Sequence, residues 1–221
     1  MRKIAFIHTV DWYYKVQNRF IEPFFEKHID CEPIHIVDSS LLKESLEHGQ
    51  ATPNVLRRIL QYAQCAENAG AEIIMCTCTT VNQASQLGRQ ILNVPMFNID
   101  EPMARLAVEM GTKIGILATV PTSAPCTKRL LIEESKRVNK EIEVEIVINE
   151  EAFSALMAGN VQRHDELVHR ELDNMAKIYD VIALGQISLS SIDYDCGKPV
   201  LQVGKSGFEE LEKMLNTSVS N

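Results

Sequence analysis

A chain of 221 residues, 45% hydrophobic and 24% charged, has an ordinary globular composition and is long enough for one domain or two small ones. Its formal net charge of −8, with no basic run, argues against nucleic acid or an anionic membrane surface as the main partner. No stretch approaches the ~20 apolar residues of a membrane span, and the first apolar run, 4–7, stops at His8, too short for an export signal. The six cysteines (31, 65, 76, 78, 126 and 196) form no CxxC pair, so free thiols and a cytoplasmic location are expected.

In chain order, residues 3–10 read as a first buried strand. Residues 33–38 read as a second, after which Asp38-Ser39 either caps a helix before Leu41-Leu42 or lines the rim of a site. The aromatic group Trp12-Tyr13-Tyr14 is placed either on a packed helix face or as a shield over a site. Thr52-Pro53 supplies an N-cap and a proline at the first helical position. Val55, Leu56, Ile59, Leu60 and Ala63 then recur at helical spacing until Gly70. Strands are expected at 71–78 and 94–99, and a helix capped by Asp100 runs to Gly111. The second half repeats the scheme, with strands at 113–120, 144–149, 179–186 and 198–203. A helix starting at Thr122 or Ser123 holds Leu130 and Leu131, and the charge run 136–145 reads as a solvated helix end and loop.

The four strands of the first half match the four of the second in the same order, each pair about 110 residues apart. Short runs rich in Ile and Val, alternating with helices, mean parallel βαβ units covered on both faces. The fold expected is therefore α/β: two pseudo-symmetric lobes, each a parallel sheet of about four strands flanked by helices. The expected boundaries are 1–98 plus 204–221 for the first lobe and 99–203 for the second, with the active site in a cleft between them. Ligands of open parallel sheets bind beyond the carboxyl ends of the strands. The positions to read for chemistry are then His8-Thr9, Asp38-Ser39, Cys78-Thr79-Thr80, Thr119 to Thr122, Glu150 and Gln186 to Ser188.

Cys78 ends an apolar strand and precedes a helix start; it reads either as a reactive thiol, where a thiolate gains from nearby backbone N–H groups, or as a buried core cysteine. Cys76, on the same side but deeper, reads as packing. A Cys-x-Cys pair within a strand lacks the turn that zinc ligation needs, so no metal site is expected. His8 stands at a strand end and ordinarily titrates near neutrality; it reads either as an acid or carboxylate-binding group or as a satisfied strand-end histidine making one backbone hydrogen bond. Thr119, Thr122 and Ser188 read either as hydroxyls for a carboxylate or as ordinary turn and cap groups.

Residues 71–81 resemble the first catalytic motif of the aspartate/glutamate/hydantoin racemase superfamily, an apolar strand ending in Cys, a small polar residue and Thr. Residues 180–190 resemble its second motif, and Gly115-Ile116-Leu117-Ala118-Thr119 with Thr122 resembles its second-lobe opening strand and turn. The resemblance spans nearly the whole chain, duplication included. It implies a racemase without pyridoxal phosphate, metal or other cofactor, acting on a small carboxylate substrate and pairing as a homo-oligomer, a dimer. In that family two thiols, one per lobe, act as base and acid on opposite faces of a carbon acid. Here Cys78 fills the first position and Gln186 the second, where the family motif has Gly-Cys-Thr. An amide is neither acid nor base near neutrality. The first strand also departs, with His8-Thr9 where glutamate racemases carry an acidic residue and Ser. The expected site is therefore Cys78 as proton-transfer thiol and His8 as second catalytic group, with Thr9, Thr79, Thr80, Thr119, Thr122, Gln186 and Ser188 on the substrate. Cys126 or Cys196 is the alternative partner thiol. Alternative activities are a single-thiol decarboxylase or lyase on a small dicarboxylate, or a carboxylate-binding protein without turnover.

Overall fold

The computed structural model describes residues 1–10 and 17–218, so Trp12, Tyr13 and Tyr14 lie outside the described residues. The chain divides into two compact units, Met1–Ile99 with Gly207–Asn221, and Asp100–Ser206.

The first unit holds strands β1 (Arg2–His8), β2 (Cys31–Val37), β3 (Ala71–Cys76) and β4 (Met96–Asn98). Its helices are α1 (Glu22–Lys27), α2 (Ser40–Glu47), α3 (Pro53–Asn68) and α4 (Gln83–Gly88). All strands are parallel, in the order β2-β1-β3-β4. Alternation along β1 assigns its residues to opposite faces. Ala5 and Ile7 join Ile74, Cys76 and the α3 residues Val55, Ile59, Ala63 and Ala66 in one apolar cluster. Phe6 turns the other way, stacking on Phe208 at 6.0 Å and meeting Phe25 edge-on at 6.0 Å. Phe208 belongs to the last helix, α9 (Val203–Ser218), whose Leu211 and Leu215 are also buried. Each fully buried Ile, Leu or Phe contributes about 1.5–3 kcal/mol, so both faces of the sheet are needed.

The start of α3 is as expected: Thr52 Oγ1 accepts from Val55 N–H at 3.1 Å and Pro53 opens the helix. Gly70 ends the following turn at φ +89°, a left-handed conformation that favours glycine. Asp38 serves the start of α2: its Oδ1 accepts from Ser40 N–H at 3.1 Å, while Oδ2 holds Tyr62 Oη at 2.7 Å and pairs with Arg58.

The second unit repeats the plan with α5 (Glu101–Met110), β5 (Lys113–Ala118), α6 (Ser123–Arg137), β6 (Glu143–Ile148), α7 (Glu150–Met157), α8 (Val161–Met175), β7 (Val181–Leu184) and β8 (Val200–Gln202). The sheet order is β6-β5-β7-β8, again all parallel. Leu117, Ile182 and Leu184 pack on Leu167, Val168, Leu172 and Met175 of α8. Gly115 makes this packing possible: a Cβ there would lie 2.5 Å from the Tyr179 ring and 2.6 Å from the Met175 methyl. Asp100 differs from its expected role. It precedes α5 with φ −89° and makes no side-chain cap bond, and Glu101 and Pro102 form the first turn.

The duplication can be seen in single hydrogen bonds. Thr77 N–H donates to Ile7 O at 3.1 Å, and Gly185 N–H donates to Leu117 O at 2.9 Å. Asp38 N–H donates to His8 O at 3.0 Å, and Asn149 N–H donates to Ala118 O at 2.9 Å. Cys78 and Gln186, each one residue further along, are therefore structural equivalents. No helix among the described residues is long and apolar enough to cross a membrane.

Candidate active site

In a sheet of order 2-1-3-4 the chain leaves β1 in one direction and returns on its other side, so the ligand-binding switch point lies between the tips of β1 and β3. The residues just beyond those tips in the first unit are Thr9, Thr77 and Cys78. In the second unit they are Thr119 and Gln186.

Cys78 leaves β3 in extended conformation, φ −135° and ψ 122°, and leads into a single helical turn, Thr79–Val81, followed by α4. Val81 N–H donates to Cys78 O at 3.3 Å and closes that turn. The thiol is partly exposed and lies against the apolar cluster beneath α3. Cys76 is fully buried in the same cluster, as its deeper position in the strand implies. Thr79, Thr80 and Asn82 are buried beside Cys78 in sequence. Thr9, beyond the tip of β1, is buried, and its Oγ1 has no hydrogen-bond partner among the described residues.

His8 corrects an expectation. It is fully buried on the aromatic face of the first sheet, opposite Ile7 and Cys76, and stacks with Phe6 and His35. Its Nδ1 lies 3.0 Å from Thr77 Oγ1 and its Nε2 lies 3.0 Å from His35 Nδ1. Burial, and then the neighbouring His35, push its pKa down to about 3. With its pKa held that low by burial it is a neutral imidazole at pH 7, and it bridges two strands. Burial lowers the His35 pKa as well. Sequence reading missed His35 and Thr77 as partners. The signal was present in the alternation that puts Phe6 and His8 on one face, beside the neighbouring strand that carries His35.

Gln186 corrects another. It is buried and extended, φ −160° and ψ 153°, ahead of a helical turn Ile187–Ser191. Its Oε1 accepts from Thr119 N–H at 2.9 Å, from Val120 N–H at 3.0 Å and from Ser123 Oγ at 3.3 Å. Its Nε2 donates to Thr119 Oγ1 at 2.7 Å and to Ser188 Oγ at 2.6 Å. The structure thus brings Thr119, Gln186 and Ser188 together as expected, but they bind one another. Thr119 is fully buried, and its N–H and hydroxyl are both engaged in this cluster. Ser123, expected only as a helix start, borders the same cluster, its one hydroxyl hydrogen shared between Val120 O at 2.9 Å and Gln186 Oε1 at 3.3 Å. Thr122 precedes α6 and is buried, with no side-chain cap bond to the helix.

Neither alternative thiol stands at a strand tip. Cys126 is buried within α6. Cys196 lies on the return to the N-terminal end of β8, with Sγ 3.9 Å from Lys198 O. Among the described residues, no group of three or more His, Cys, Asp or Glu side chains is placed to hold a metal ion.

Comparison with known proteins adds the following. No curated protein matches this sequence. Solved structures match nearly the whole of this chain. An aspartate racemase homologue from Pyrococcus horikoshii OT3 is 23% identical, with 97% of this chain and 99% of that chain covered and a TM-score of 0.69. The glutamate racemase isoform RacE1 from Bacillus anthracis is 16% identical, with 98% and 82% covered and a TM-score of 0.69. The allantoin racemase from Klebsiella pneumoniae is 14% identical, with 99% and 89% covered and a TM-score of 0.67. At these identities the likeness establishes the fold. The family itself is established by a sequence model, Asp/Glu/Hydantoin racemase, which matches residues 21–216. Because that model spans most of the sequence, this chain is a member of the Asp/Glu/hydantoin racemase family.

Proposed function

We propose that the protein is a cofactor-independent isomerase of the racemase or epimerase type, acting on the carbon next to the carboxylate of a small amino acid or related acid, with Cys78 as the proton-transfer thiol. The observation that carries this reading is the position of Cys78: a partly exposed thiol directly beyond β3, at the switch point of the first sheet, in a chain of racemase family. The Cys78 thiolate takes the α-proton and becomes S–H, and the C–H electron pair moves into the carboxylate to give an enediolate. Return of that proton by S–H to the same face restores the starting acid; inversion follows when the enediolate takes a proton from water on the opposite face and the Cys78 S–H gives its own proton to solvent, which regenerates the thiolate. Such a carbon acid is weak, so the developing charge on oxygen needs positioned donors. Thr9, Thr79 and Thr80 are the hydroxyls of the first unit assigned to it. The same proposal takes the protein to work in the cytoplasm as a homodimer, without pyridoxal phosphate.

One observation favours a second reading. Gln186 stands at the position equivalent to Cys78 and is neither acid nor base. One thiol suffices for decarboxylation of a small dicarboxylate. There the C–CO2 bond breaks, carbon dioxide leaves, the electron pair enters the remaining carboxylate, and Cys78 S–H protonates the carbon.

Proton NMR in deuterated buffer separates the readings with candidate amino acids and dicarboxylates as substrates. Loss of the α-proton signal with inversion supports the isomerase. Carbon dioxide release with one deuteron incorporated supports the decarboxylase. Exchange, or carbon dioxide release, that persists undiminished in Cys78→Ala refutes the thiol assignment in the isomerase or the decarboxylase reading respectively.

A further inference from the structure

Two backbone N–H groups converging on one acceptor form a turn suited to an oxyanion. In the second unit the N–H groups of Thr119 and Val120, with the Ser123 hydroxyl, converge in this way, and the acceptor is the chain's own Gln186 Oε1. Both hydrogens of Nε2 are also spent, on Thr119 Oγ1 and Ser188 Oγ. Gln186 therefore has no donor left for a ligand, and the Thr119 and Val120 N–H groups are both taken. At the position equivalent to Gln186 the first unit carries Cys78 in place of the amide, and Thr9 Oγ1, the counterpart of Thr119 Oγ1, has no partner among the described residues. A cysteine side chain ends at Sγ and offers neither the carbonyl oxygen nor the amide hydrogens that satisfy the second turn.

We propose that Gln186 is a built-in occupant of an oxyanion turn: its amide carbonyl sits where a ligand carboxylate oxygen would bind, closing the second unit's turn and leaving carboxylate recognition to the first. Gln186 is then a positioning and specificity-determining residue that does not touch substrate. The last clause rests on the function proposed above; the occupancy of the turn does not. Two consequences follow for the chain itself. A carboxylate placed there by substitution is welcome, because it receives the same two N–H groups and can accept from hydroxyls that now rotate toward it. Removing the side chain leaves a space that a small free carboxylate fills.

Gln186→Glu tests the first consequence through the sign of its pH dependence. The five groups around the amide, two N–H and three hydroxyls, are uncharged. If they form an oxyanion turn, the introduced carboxyl group ionises more readily folded than unfolded. Its stabilisation is then present above the unfolded carboxylate range and lost as pH falls below about 4. The variant is expected to melt within about 4 °C of the wild type at pH 7 and to fall behind it on acidification. A variant that is weak at pH 7 and recovers toward the wild type as pH falls would overturn the proposal, since that is the behaviour of a charge buried without donors. Gln186→Gly tests the second consequence and keeps the proposal open to refutation should the Glu variant fail to fold. Sodium acetate, against sodium chloride at equal ionic strength, is expected to raise the Gly variant's melting temperature saturably and to leave the wild type unmoved. Equal shifts in both proteins, or none in the variant, overturn it. Neither measurement involves Cys78, so failure here leaves the thiol assignment standing, and loss of the thiol assignment leaves these outcomes unchanged.

Discussion

Acid should weaken this fold through His8, and the size of the effect can be worked from its environment. In the unfolded chain His8 titrates at its ordinary value of 6.5, whereas in the folded chain burial and His35 bring it to about 3. Between those values the unfolded state binds a proton that the folded state does not, so stability is full above about pH 6.5 and falls as pH drops. At pH 5 the gap between pH and the unfolded value is about 1.5 units. At about 1.36 kcal/mol per unit, that is about 2 kcal/mol lost from this residue alone. His35 shifts in the same direction and adds to the loss. The assay is urea unfolding at pH 7.5 and pH 5.0, for the wild type and for His8→Gln, which retains a donor and an acceptor but cannot protonate. The wild type is expected to lose about 2 kcal/mol more than the variant between the two pH values. Equal losses would show that His8 does not bind its proton more weakly when folded, and the argument from burial would fail. A neutral, buried His8 also implies that His8→Gln retains proton exchange at Cys78 wherever it remains folded.

Other substitutions read single features of the fold. Gly115→Ala places a methyl group 2.5 Å from the Tyr179 ring, and overpacking of this kind costs about 1–3 kcal/mol, readable as a lowered urea midpoint. Thr52→Ala removes the acceptor of the Val55 N–H and should cost about 1 kcal/mol, while Thr52→Asn restores most of it. Cys76→Ala, in the same cluster as Cys78 but fully buried, should cost stability and leave proton exchange intact in the folded fraction.

Much of the fold is legible in the sequence because parallel strands buried on both faces announce themselves as apolar runs, and because a repeat gives each run a second witness. The expected strand at 71–78 is observed as Ala71–Cys76, and the expected strand at 179–186 as Val181–Leu184. Both stop short of Cys78 and Gln186, which are extended but lie beyond the ladder, and the second also starts later because Tyr179 N–H still donates to Met175 O at the end of the preceding helix. The site is legible as a set of strand tips, not as a set of contacts. Position alone marks Gln186, Thr119 and Ser188, but does not reveal that their donors and acceptors are spent on one another. That depends on the amide reaching across from β7 to the turn after β5. His8 departs from expectation for a related reason. A strand-end residue can point to either face, and only the aromatic packing of Phe6, His35 and Phe208 fixes its side as the dry one. Asp100 precedes a helix as expected, yet its αR backbone leaves no cap geometry for its carboxylate.

The central claim is that Cys78 moves a proton on carbon next to a carboxylate. The direct measurement is the rate at which the α-proton of a candidate amino acid or dicarboxylate is replaced by solvent deuterium, with wild type and Cys78→Ala compared at equal folded concentration. The account predicts exchange in the wild type and its loss in the variant, by at least the roughly 100-fold that general acid–base catalysis contributes. A Cys78→Ala protein that exchanges the proton as fast as the wild type would contradict it.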